Sequence, residues 1–336
     1  MRRLLIVELD RLRWRRAVVV LLAAAVLVPT LIWLSQAWNT RPLSDADLAD
    51  AQAQAARDAS AAWVQRDLAR CERNPGRFGG PGTTPEACAE MIVPRAENYL
   101  WREPLQVESI RENDAVAVVT MLAGLLFLIG TTFVGHDWNT GSISNQLLFE
   151  PRRLRVWGAK ALAVLGLGLV VSGLVLAAFW GATALLADQR GIATSGEAWA
   201  AALGSAARGV VLSALAGFLG FSLTMLFRST VATLAVGFAV FAGGSLVVLG
   251  IFGDGAMRWL MPTNAMAVLL DGFEFYAYTP ACEAAQTTMG QMTMEEGVVD
   301  PCIQHLSLQA GAAYLLVVLA VVTALSLWSF RRRDLP

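Results

Sequence analysis

Charge is scarce in this chain. Only 16% of its 336 residues are Asp, Glu, Lys or Arg, against about 25% in an ordinary soluble domain. Lys160 is the sole lysine, and His136 and His305 are the sole histidines. The two histidines flank different apolar blocks at opposite ends, which rules out a His-based metal centre within one chain. No GxSxG or HExxH motif occurs, nor a G-x-x-x-x-G-K-S/T loop, so a Walker A nucleotide site is excluded. The chain reads as a non-enzyme; any ATP-driven step needs ATP and Mg held by another subunit. No cofactor is expected on this chain, and no nucleic acid as a partner.

What is abundant is apolar residue, 56% of the total, gathered in uncharged blocks of about twenty. A helix needs ~20 such residues to cross a ~30 Å hydrocarbon core. Six blocks qualify, at 17–36, 115–135, 159–187, 209–227, 229–253 and 309–330. They are apolar all round, without the alternation of a membrane β-barrel. The expected fold is an all-α polytopic membrane protein with six transmembrane helices.

The net charge of −1 hides an asymmetry. Six spans place both termini, the loop 136–158, Arg228 and the tail 331–336 on one side. That side carries fourteen basic and five acidic residues, a net of +9. The other carries twelve basic and twenty-two acidic, a net of −10. Short basic flanks stay in the cytoplasm, so the expectation is a multi-pass inner-membrane protein with both termini inside. The first block is longer than the 7–15 residues of a secretory h-region and reads as a retained anchor.

Residues 1–16 (MRRLLIVELDRLRWRR) intersperse Leu4, Leu5, Leu9, Leu12 and Trp14 with arginines at roughly helical spacing. They read as a cytoplasmic interfacial helix with its arginines toward anionic headgroups, or as a plain topology flank. Residues 38–113 form an extracytoplasmic insertion. Ser44 is an expected N-cap for an Ala/Gln-rich helix running to Arg70, with breaks at Asn74-Pro75-Gly76 and Gly79-Gly80-Pro81-Gly82. All four cysteines fall on the oxidising side. Cys71–Cys88 and Cys282–Cys302 read as local disulfides, although four cysteines permit three pairings. The outer loop 254–308 contains an apolar run, Met257–Leu270, interrupted around Pro262, Thr263 and Asn264. It is too short to span and reads as re-entrant or interfacial.

No Asp, Glu, Lys or Arg falls at mid-depth in any block; Arg208, Asp188 and Asp254 sit at block ends. This argues against a proton-coupled carrier. Small residues are frequent instead, among them Gly124, Gly130, Gly166, Gly168, Gly173, Gly217, Gly220, Gly243 and Gly244. They serve close helix packing or act as hinges.

The segment 135–160, GHDWNTGSISNQLLFEPRRLRVWGAK, is far longer than a connection requires. Its acid, Gly-Ser, paired leucines, proline and basic cluster leading to lysine resemble the segment between spans 2 and 3 of ABC-2 family permeases. The matching residues are Asp137, Gly141, Ser142, Leu147, Leu148, Pro151, Arg152, Arg153 and Lys160. The N-terminal helix, the short turn Arg228-Ser229 and the outer Pro262–Asn264 element extend the resemblance. The 38–113 insertion departs from the family's simplest members. The resemblance implies a coupling segment at 136–158 docked on an ABC ATPase, with Leu147 and Leu148 in its groove and Asp137, Arg152 and Arg153 forming salt bridges at the membrane surface. It also implies two ATPase copies, a second permease chain in a homodimer or heterodimer, contact with membrane lipid, and outward movement of an amphipathic or lipid-like substrate. The alternative is a membrane-anchored sensor or assembly protein with an extracytoplasmic ligand-binding domain; a membrane-embedded enzyme lacks any catalytic constellation to support it.

Overall fold

A computed structural model describes residues 2–80, 83–100, 104–280, 282–284 and 300–332. Pro81, Gly82 and residues 333–336 of the tail lie outside them. In chain order the longer elements are α1 (Arg2–Arg13), α2 (Arg16–Asn39), α3 (Asp45–Ala59), α4 (Ala62–Arg73), α5 (Gly76–Gly79), α6 (Pro85–Ile92), α7 (Val107–Glu112) and α8 (Asp114–Asn139). They continue with α9 (Ser142–Phe149), α10 (Arg153–Gln189), α11 (Gly196–Phe227), α12 (Thr230–Phe238) and α13 (Gly244–Phe252). The last are α14 (Met261–Leu270), β1 (Phe273–Tyr276), β2 (Ile303–Leu306) and α15 (Leu308–Arg332). Among the described residues six helical stretches are long and apolar enough to cross a membrane: α2, α7–α8, α10, α11, α12–α13 and α15. This is a multi-pass membrane protein.

The helices outrun their apolar blocks. α10 has 37 residues and α11 has 32, ~55 and ~48 Å at 1.5 Å per residue. Their ends are set by local backbone chemistry. Ser195 caps α11, its side chain accepting from the Ala198 amide at 3.1 Å, and Arg228 closes it in the left-handed conformation. Arg208 flanks its apolar block yet lies within the helix. Its side chain reaches the Leu269 carbonyl (3.3 Å) and the Asp271 carboxylate (3.5 Å) at the close of α14.

The chain forms two compact units. In the larger, α8 and α11 pack through glycine. A Cβ at Gly130 or Gly220 would strike the carbonyl of Gly217 or Phe127 on the facing helix, and Gly217 lies against Leu126. Gly168 meets Ala214 in the same way. A methyl added at Gly124, Gly166, Gly173 or Gly243 would meet nothing within 4 Å, so only part of the glycine set serves packing. Span α12–α13 is interrupted by a π-turn at Ala239–Gly243, and α13 has no buried residue.

α14 is the interrupted apolar run. Pro262 stands in its first turn, where a missing N–H costs nothing. The Asn264 side-chain amide donates to the Arg258 and Leu260 carbonyls at 2.9 and 2.8 Å, pinning the preceding 3₁₀ turn. Gly311 of α15 leaves room for the Asn264 carbonyl; a Cβ there would sit 2.7 Å from it. Beyond α14 the expected loop contains a two-stranded antiparallel ribbon, β1 against β2, pairing Phe273 with Leu306 and Tyr276 with Ile303. The Cys282–Cys302 disulfide closes its far end.

The smaller unit comprises Leu34–Leu105 with Gln189–Ile192. Ser44 and Asp47 form a reciprocal capping box on α3. The Ala/Gln-rich run is two helices and not one, breaking at Ser60. The Cys71–Cys88 disulfide ties α4 to α6. Tyr99 donates to Asp58 at 2.6 Å, and that carboxylate pushes the phenol above its usual range. Arg190 donates to the Ala37 and Thr40 carbonyls at 2.7 and 2.6 Å, a cation on the open end of α2.

Candidate functional site

The connector between α8 and α10 turns at Gly141, which is left-handed at φ 67°; an L side chain would be strained there. α9 follows for eight residues. Pro151, two positions past Phe149, prevents its continuation. One face of α9 is held. Ile143 is buried, and Leu147, one turn on, packs against the core around Leu12, Phe133, Trp157 and Phe330. Ser142 accepts from Arg11 at 3.1 Å. The Gln146 amide donates to Glu8.

The opposite face is bare. Leu148 is 80% and Phe149 91% exposed, side by side at the tip of the connector. The basic cluster follows. Arg153 donates to the Phe330 and Arg331 carbonyls at 3.1 and 3.3 Å, fastening the start of α10 to the end of α15. Arg155 and Glu150 approach only to 3.8 Å. Arg152, Arg153, Arg155 and Arg331 line a basic recess of about 460 Å³.

Beneath the connector lies a closed group of charges. The Lys160 ammonium donates to Glu8 Oε2 at 2.8 Å and Asp137 Oδ2 at 2.6 Å. Lys160 and Glu8 are wholly buried, and Asp137 is 1% exposed. Arg15 donates to the other oxygen of Asp137 and to the Phe133 carbonyl, its guanidinium over the Phe133 ring at 4.7 Å. Two carboxylates thus face two cations, with Arg11 at the rim 3.8 Å from Glu8. The group joins α1, the α1–α2 junction, α8, α9 and α10.

Of the residues expected to couple, Asp137, Gly141, Ser142, Leu147, Arg153 and Lys160 build the connector's base. Leu148 faces outward, and Arg152 is exposed on the basic flank. Leu147 is half-buried against the core. Asp137 pairs with Lys160 and Arg15 inside the chain. Residues 1–16 are held through Glu8 and Leu12 with Arg11 and Arg15 half-buried, while Arg3, Arg13 and Arg16 are exposed together with Ile6, Val7, Leu9 and Trp14. Glu8, Arg15, Gln146 and Phe149 were missed. The signals were present: an acid among arginines opposite the only lysine, and a third apolar residue after the paired leucines. Pro262 and Asn264 are far from this group and shape α14. Among the described residues no three His, Cys, Asp or Glu side chains gather as metal ligands.

No protein-family model, curated protein or solved structure matches this chain.

Proposed function

We propose that this chain is the membrane subunit of an ATP-driven exporter of the ABC-2 type, moving an amphipathic or lipid-like substrate outward. Two separate ATPase subunits hydrolyse ATP, and a second permease chain completes the pore. The basic end, with both termini, faces the cytoplasm, following the charge asymmetry. The observation that carries this reading is the paired exposure of Leu148 and Phe149 on a helix whose other face is anchored. A bare apolar pair is what a protein contact takes up, each such side chain contributing ~1.5–3 kcal/mol on burial. Because α9 is bonded to α1 through Ser142 and Gln146, and α1 to α8 and α10 through the buried charges, a push on the pair is passed to two membrane spans, α8 and α10. The four inner charges cancel, which suits a latch better than a proton carrier. The exposed α12–α13 span offers a face for the second chain.

A sensor with an outer ligand-binding domain is the second reading; the compact, disulfide-closed smaller unit favours it. Co-purification separates the two. The tagged wild-type chain is expected to bring down an ABC ATPase. Phe149→Asp is expected to insert normally yet lose the ATPase, since it places a charge in a desolvated contact. Leu147→Asp is expected to lower the yield of folded protein instead. No ATPase with the wild type, or full recovery with Phe149→Asp, defeats the exporter reading.

A further inference from the structure

We propose that the groove between α10 and α11 binds one ester-linked acyl chain of a glycerophospholipid, with Trp180 donating its indole N–H to the ester carbonyl. The site stands independently of the exporter reading. The two helices touch where Gly168 meets Ala214 and the Ser172 hydroxyl reaches the Val210 carbonyl at 3.3 Å. Past that crossing they leave a groove of about 480 Å³, lined by Gly173, Ala177, Trp180, Gly181, Trp199 and Ala207 among others, with no charged residue. A methyl at Gly173 or Gly181 would meet nothing within 4 Å. The bare glycines therefore serve neither helix packing nor a turn, and they keep a channel open.

Trp180 supplies the independent observation. It is 3% exposed and held edge-on between Phe179 and Trp199, with ring centroids 5.6 and 6.2 Å apart. Its Nε1 is buried without an acceptor. An orphaned donor costs about 1–3 kcal/mol, so it calls for an acceptor from outside the chain. Twenty residues of one helix separate it from Lys160, ~30 Å, which is one hydrocarbon thickness. Trp180 therefore stands at the interface opposite the basic end, where tryptophans collect and lipid esters lie. From Gly173 to Ala184 the groove runs ~16 Å, straddling that level, so it takes the glycerol ester and the upper acyl chain. Ala177, Gly181 and Ala207 are exposed along it, which lets a chain enter sideways from the bilayer. A helix from a second copy would fill the space without distinguishing an ester lipid from its ether analogue.

The test is native mass spectrometry of the full chain released from vesicles holding equal amounts of dioleoyl phosphatidylethanolamine and its dialkyl ether analogue. The wild type is expected to retain the ester lipid about fivefold over the ether, the equivalent of about 1 kcal/mol for one hydrogen bond. Trp180→Phe keeps the ring and removes the donor, so the ratio falls to one. Gly181→Leu fills the channel and lowers the retained lipid by one per chain; Ala177→Leu repeats this from an exposed position. Equal retention of both lipids by the wild type overturns the proposal, as does unchanged lipid number in both filling variants, or a lipid-free dimer.

Discussion

Lys160 shows how much depends on one side chain. Removing one partner of a buried ion pair costs ~3–5 kcal/mol, because the charge left behind has no water. Lys160→Met leaves Asp137 with Arg15, and Glu8 with only Arg11 at 3.8 Å. It is expected to destabilise by that amount, read as a lowered thermal midpoint in detergent. Arg152→Ala removes an exposed charge and is expected to stay within ~1 kcal/mol of wild type. Equal midpoints for the two variants would mean that the inner carboxylates are neutral or hydrated. Asp137 and Lys160 were legible in the sequence because they bracket one motif at short range. Glu8 and Arg15 were not, since they meet their partners across 152 and 122 positions, and local pattern carries no information over that distance.

At the scale of elements, hydropathy located six apolar spans, but α10 and α11 begin well before their blocks. An apolar block records where lipid lies, whereas caps and turns decide where a helix stops. Ser195 and Pro151 therefore bound α11 and α10 well beyond the apolar residues. The ribbon β1–β2 was invisible because four-residue strands separated by a long connection leave no periodic trace. Glycine spacing was equally ambiguous, and the structure divides the set. Gly220→Leu is expected to drive α8 and α11 apart and sharply reduce folded protein in size-exclusion profiles. Gly124→Ala is expected to fold as well as wild type, since its methyl meets nothing and alanine favours helix by ~0.5–1 kcal/mol. The Cys71–Cys88 link closes a separation of 17 residues. By the chain-entropy account its loss removes ~3 kcal/mol from the smaller unit, and faster limited proteolysis of a Cys71→Ser/Cys88→Ser variant would report it.

For the molecule as a whole, sidedness is the property from which the exporter reading proceeds. Asn145 is exposed on α9, so Asn145→Cys in a cysteine-depleted background is expected to react with an impermeant thiol reagent only after the membrane is opened. Labelling in intact cells would place the connector outside and remove it from any cytoplasmic ATPase. The buried lysine has one more consequence at this scale. With Lys160 the only lysine and wholly enclosed, the folded molecule offers amine-directed reagents no side chain at all. Acylation at Lys160 then becomes a clock for the interior: its rate measures how often α1 lifts from the bundle, without any engineered probe.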